Sequence, residues 1–282
     1  MPLAVTKIAL WKTVGDAYEI VFANPGRFLL AAGASLIALT ALAALFMVAP
    51  TALPFASVLP AILRIGEMLG EALLSFAWLR SVLRDERPRA LPRLGRRELR
   101  FVAYVILVVA IVRGVVFFGG SLLVVFLSLT VLLYHLAPLT PSVTDPFQII
   151  ALVVLLIPVA GVLLALPALA EDEQDGVLSR AWQRARGNGI QLAFGVMLCL
   201  APFEGIKLVI EKAVSVPVWQ LWIAAQEGRN VIPAPSPLQV MAATELDLLL
   251  SFIGIAVTAG FLALAHRQLA MNGAAAAAVL AP

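Results

Sequence analysis

Long apolar runs alternate along this chain with short polar stretches, and that pattern predicts membrane-crossing helices joined by brief loops. Residues 28–49 carry no charge, and a helix of that length rises about 33 Å, enough to cross about 30 Å of hydrocarbon. Comparable runs at about 54–79, 101–120, 147–170, 192–210 and 248–265 bring the expected spans to six. The apolar stretch from Phe101 to Leu136 would form a helix of about 54 Å, too long for one crossing. Residues 121–137 therefore either cross again or lie at the outer interface.

Two polar stretches keep a helical period of their own. Over residues 3–23, Ile8, Trp11, Val14, Tyr18 and Val21 share one face, with Lys7, Lys12, Asp16 and Glu19 away from it. Over residues 171–191, Val177, Leu178, Ala181, Trp182 and Ala185 oppose Ser179, Arg180, Gln183, Arg184 and Arg186. Both patterns predict helices lying in the headgroup plane. Ala17-Tyr18 and Ala181-Trp182 are each followed six residues later by an asparagine, Asn24 or Asn188, and then by a span. Pro25-Gly26 turns the first copy into its span, while Gly187-Asn188-Gly189 reads as a helix ending and not as a phosphate cradle.

Composition agrees: 62% hydrophobic residues, 13% charged residues and a mean hydropathy of +0.99 exclude an ordinary soluble domain. The net charge of +3 does not point to nucleic acid, because eight arginines sit in the single loop Arg80 to Arg100. With six spans, positions 1–27 hold 3 Lys and Arg, that loop 8, residues 171–191 another 3, and Arg267 makes 15 on one side. The opposite side holds Lys207, Lys212 and Arg229. Positive residues face the cytoplasm, so both termini are expected there, and Trp11, Trp78, Trp182, Trp219 and Trp222 then fall at interfaces as anchors. The fold expected is all-α and polytopic: an interfacial helix over 1–27, a six-span domain over 28–270 arranged as three hairpins, and an Ala-rich tail over 271–282. Lys7, Lys12, Asp16 and Glu19 interrupt any signal-peptide core before Phe28, so no cleaved leader is expected. Cys199, the lone cysteine, forms no internal disulfide.

Charges inside the runs are the main candidates for chemistry. Measured from the cytoplasmic ends, Glu67, Arg113 and Glu204 share a layer about 20 Å deep, Arg64 and Lys207 lie a turn further out, and Glu71 a turn inward. Two readings are open. These six residues are either buried ion pairs holding hairpins together, with Arg113 the costliest to neutralise, or the lining of a path for protons, ions or an anionic headgroup. Arg84, Arg87, Arg89, Arg93, Arg96 and Arg97 set topology and could also hold anionic lipid headgroups. Pro202 would free a backbone carbonyl near Glu204. His135 and His266 are expected on opposite sides, the acids Glu171, Asp172, Glu173 and Asp175 suit a helix N-terminus, and no hydrolase or metal motif is present. No catalytic activity, metal or cofactor is expected.

The string LPALAEDE with RAWQRARGN and a following span, carried by Pro167, Ala181, Trp182, Arg186, Gly187 and Asn188, resembles six-helix bacterial membrane families. These include the membrane domain fused to some glycerophosphodiester phosphodiesterases. The resemblance implies the membrane fold without the hydrolase, whose catalytic barrel is absent here. The function expected is a non-catalytic structural or accessory component of a bacterial inner membrane, binding lipids or other membrane subunits. The alternative is a small transporter or ion pathway.

Overall fold

The computed structural model describes residues 7–48, 59–89, 95–108, 110, 157, 160–171, 176–227 and 237–280. Among them every regular element is a helix and no strand occurs. The helices α1 (Leu10–Ala23), α2 (Pro25–Val48), α3 (Leu59–Arg84), α4 (Ala165–Ala170), α5 (Val177–Ala185), α6 (Gly189–Glu227) and α7 (Pro237–Leu280) follow in chain order. Residues 96–108 and 160–163 are helical as well.

The two asparagines matched in the sequence make the same backbone joint. Asn24 N–H donates to Val21 O at 3.3 Å and Asn24 O accepts from Phe28 N–H at 3.1 Å; Asn188 does the same with Ala185 O at 2.9 Å and Leu192 N–H at 2.9 Å. Each asparagine closes the amphipathic helix before it and accepts the first bond of the apolar helix after it, as an N-cap residue does. Pro25 then occupies the first helical position, where its missing N–H costs nothing. At the second joint Gly187 takes a φ of 81°, the left-handed conformation that ends α5.

The chain divides into two compact units. One comprises Met1–Ala17, Leu94–Met197 and Phe261–Pro282. Its core is built from Val14, Phe101, Leu164, Val177, Ala181, Leu192 and Phe261. Gly161 is pressed beneath the Trp182 ring, which a methyl group there would meet at 2.8 Å. Buried Asn188 ties in the N-terminal segment, its Oδ1 accepting from Ile8 N–H at 3.2 Å. Gln268 Nε2 donates to the hydroxyl of buried Thr13 at 2.9 Å.

The other unit comprises Tyr18–Arg93 and Leu198–Gly260. Here α2 packs on α3 through Gly66 and Gly70, one helical turn apart. A methyl at Gly66 would meet Leu39 at 3.1 Å and one at Gly70 would meet Ser35 at 3.2 Å, so small residues set the helix separation as in many lipid-embedded pairs. Helix α3 ends at Arg84, where Asp85 takes a φ of 53° and accepts a 2.7 Å bond from Arg27. Arg80 holds Glu86 through two bonds of 2.9 and 2.7 Å, which keeps that carboxyl below its ordinary pKa.

Among the described residues three helices are long and apolar enough to cross a membrane, over Pro25–Leu42, Gly189–Ile210 and Ala242–Met271. They correspond to the first, fifth and sixth expected spans. The second expected span coincides with α3, but Arg64, Glu67 and Glu71 keep that helix out of the apolar set. Residues 109 and 111–156 lie outside the described residues, and with them about half of the third expected span, part of the fourth and the segment 121–137. Helix α6 runs unbroken for 39 residues, through residues 218–226. Helix α7 continues to Leu280 through most of the Ala-rich tail.

Candidate functional site

The amphipathic helix α5 positions the richest cluster of polar groups. Its apolar stripe divides in two: Val177, Ala181 and Ala185 are buried at i, i+4 and i+8, while Leu178 and Trp182 remain exposed, Trp182 by 41%. Leu178 and Trp182 face a cleft of about 1020 Å³ whose described lining also includes Arg100, Tyr104, Ser179, Gln183 and Arg186. Arg100 and Tyr104 share a face of the helical stretch 96–108 at i, i+4 spacing, and Trp182 and Arg186 do so on α5. A second, more apolar cleft of about 440 Å³ shares Trp182 and Arg186 and continues along Ile157, Gly161 and Ile190. Gly176, at a φ of 59°, opens α5 with no side-chain cap, and the first turn from Gly176 to Ser179 lines the larger cleft.

Arg184 leaves the polar face of α5 for the interior. Its Nη1 lies 3.4 Å from Nε2 of buried His266, and Glu171 Oε2 lies 3.3 Å from the same nitrogen. Arginine only donates and a carboxylate only accepts, so Nε2 serves the two partners in different tautomers. Glu171, expected at a helix N-terminus, caps the C-terminal end of α4 instead. Asp172, Glu173, Asp175 and His135 lie outside the described residues.

In the other unit Lys207 collects the charges. Its Nζ lies 3.0 Å from Glu204, one turn earlier on α6, and 3.9 Å from Asp247 on α7, and it also donates to the hydroxyl of buried Ser251. Thr40 on α2 donates to Glu245 on α7. Of the expected charge layers, Glu204 and Lys207 are thus brought together, although along one helix. Glu67 and Glu71 are half-buried on α3, the side chain of Arg64 lies outside the described set, and so does Arg113. Glu245 and Asp247 were missed because the sixth span was drawn from 248, whereas its apolar window opens at Ala242, and Ser251 and Thr40 because they are uncharged residues inside expected spans.

Pro202 does free a carbonyl. Without a proline N–H, Leu198 O lacks its partner within α6, and the Tyr18 hydroxyl donates to it at 3.0 Å, with Cys199 O at 3.3 Å. Tyr18 stacks on Phe203 at 6.1 Å between ring centres, which fixes the hydroxyl. Tyr18→Phe is expected to destabilise the protein by about 1–2 kcal/mol, the cost of an orphaned carbonyl. Adding Pro202→Ala returns a donor within the helix, so denaturation of the double variant should show most of that loss recovered. Equal costs with and without Pro202 would refute the link.

Of the loop arginines, Arg84, Arg87, Arg89, Arg96 and Arg97 are exposed and Arg93 lies outside the described residues. Trp11 and Trp182 are exposed as interfacial anchors require, whereas Trp78 is only 1% exposed, packed edge-on against Phe28. Trp219 and Trp222 lie on the continuous helix α6. Among the described residues no group of three His, Cys, Asp or Glu side chains comes together to hold a metal. No protein family, curated protein or solved structure matches the chain.

Proposed function

We propose that this protein is a non-catalytic component of a bacterial cytoplasmic membrane, crossing it six times as three hairpins with both termini inside. It binds lipids and other membrane subunits. The observation that carries this reading is a contrast between the apolar helices: 72% of the Ala242–Met271 window is buried, against 28% of Gly189–Ile210 and 17% of Pro25–Leu42. Leu29, Leu30 and Ile37 on α2, with Leu208 and Val209 on α6, leave apolar surface exposed. Surface of that kind on spanning helices must be covered by lipid or by another membrane helix.

Purification in mild detergent is expected to recover stoichiometric membrane-protein partners, and proteoliposomes of the purified chain to show no proton or ion flux. Flux from isolated monomers or homodimers would overturn the accessory role. It would favour the second reading, a conducting path, which the Lys207, Glu204 and Asp247 cluster supports because all three lie on apolar windows.

The topology rests on the 15 positive residues against three. Single cysteines at Arg87, Ser179 and Ser236 report it; Ser81, in the last turn of α3, is buried and would stay silent. An impermeant maleimide added to intact cells is expected to label only the Ser236 variant. Labelling at Ser179 would sink the six-span arrangement.

A further inference from the structure

We infer that the paired clefts flanking Trp182 form a site for one anionic phospholipid of the cytoplasmic leaflet, an inference that rests on the membrane reading above. The larger cleft presents Arg100 and Arg186, the Tyr104 hydroxyl and the uncapped first turn of α5, and none of its described lining residues is acidic. Both guanidinium groups line this one cleft, and guanidinium matches a phosphate in charge and in hydrogen-bond geometry. The smaller cleft supplies the other half of an amphiphile. Ile157, Gly161 and Ile190 give it an apolar wall, and it meets the first cleft at Trp182 and Arg186.

The joint between the clefts explains why a lipid fits better than a soluble anion. Trp182 lies against Gly161, where no side chain intervenes, and its ring lines both the chamber with two arginines and the more apolar one. A free phosphate would use only the first chamber. A phospholipid fills both, headgroup against the arginines and acyl chain along Ile190, and volumes of about 1020 and 440 Å³ span the range of small-molecule sites. The tryptophan sits where its amphipathic ring is favoured, at the boundary between headgroup and chain.

The site differs from the Arg-rich loop, and that difference makes it testable. The full-length protein is reconstituted in nanodiscs of phosphatidylcholine containing one-fifth phosphatidylglycerol, transferred to detergent, and its retained lipid quantified by mass spectrometry. The parent is expected to retain phosphatidylglycerol near one molecule per chain. Arg100→Ala with Arg186→Ala should lower that retention roughly 25-fold, since each basic side chain near a lipid surface contributes about a fivefold preference. Ile190→Glu, at an exposed position, should lower it while leaving both arginines in place.

Arg87→Ala with Arg89→Ala removes equal charge from the loop and should leave retention within twofold. If the loop pair abolishes retention and the cleft pair does not, lipid binding stands but the cleft assignment falls. If Ile190→Glu changes nothing and inorganic phosphate displaces the bound lipid, the occupant is an anion and not a lipid. If the parent retains no excess of the anionic lipid, the site is refuted whatever its topology. Alkaline extraction of membranes tests membrane residence separately, and release of the chain there would refute the reading on which the site depends.

Discussion

Gly195→Ala is expected to destabilise the protein by about 3 kcal/mol in detergent, at the upper end of overpacking effects. A Cβ at this position would collide with the tip of the Phe261 ring, against Cζ and with Cε2 and Cε1 at 2.5 and 2.7 Å. The ring cannot step aside, because Phe261 is fully buried among neighbours packed to crystal-like density. Either α6 moves away from α7, opening voids along both helices, or the ring leaves its rotamer. Phe261→Leu alone costs packing, but in the Gly195→Ala background it should be nearly neutral. The cycle is read from unfolding midpoints of the four proteins. Additive costs for the pair would show that the two positions do not touch.

Lys207→Met is expected to cost about 3 kcal/mol, and its size reports what surrounds the cluster. Removing the ammonium leaves Glu204 and Asp247 facing one another without their common cation. Their side chains are 59% and 47% exposed. If those faces meet hydrocarbon, the stranded charges are expensive or must take up protons, as at any broken buried pair. Against water the same change costs under about 1 kcal/mol. A measured cost near the lower figure would therefore place water at this depth and favour the conducting path. Adding Glu204→Gln and Asp247→Asn should recover most of the larger cost, because the charges then leave together.

Periodicity made the helices legible, together with their joints. Ala17 and Ala181 are both buried, and Asn24 and Asn188 make equivalent backbone bonds, as the repeated spacing implied. Pro202 was legible too, since a missing N–H leaves a definite orphan at Leu198. What answers that orphan was not, because Tyr18 lies 180 residues away and nothing local to either residue announces the pairing. The same holds for His266, whose partners Arg184 and Glu171 are 82 and 95 residues distant. Arg184 read as part of a solvated face because amphipathicity assigns sides of a helix, not partners. The basic cleft escaped notice because Arg100 closes a loop rich in arginine, and Tyr104 falls inside an apolar run. Only their shared helical face, set against α5, separates this arginine from its neighbours.

The bond from Tyr18 to Leu198 also sets a clock on assembly. Chains grow at roughly 5–20 residues per second, so Tyr18 emerges about 10–35 s before its acceptor exists. The bond from Ile8 to Asn188 imposes the same delay, and that from Gln268 to Thr13 a longer one. Through that interval α1 has neither partner helix. An amphipathic helix can wait at a membrane surface with its apolar face covered by lipid, where a wholly apolar segment would insert and a wholly polar one would drift into the cytosol. The two-faced sequence of α1 thus suits it to two environments in succession, first lipid headgroups and then the helices that replace them.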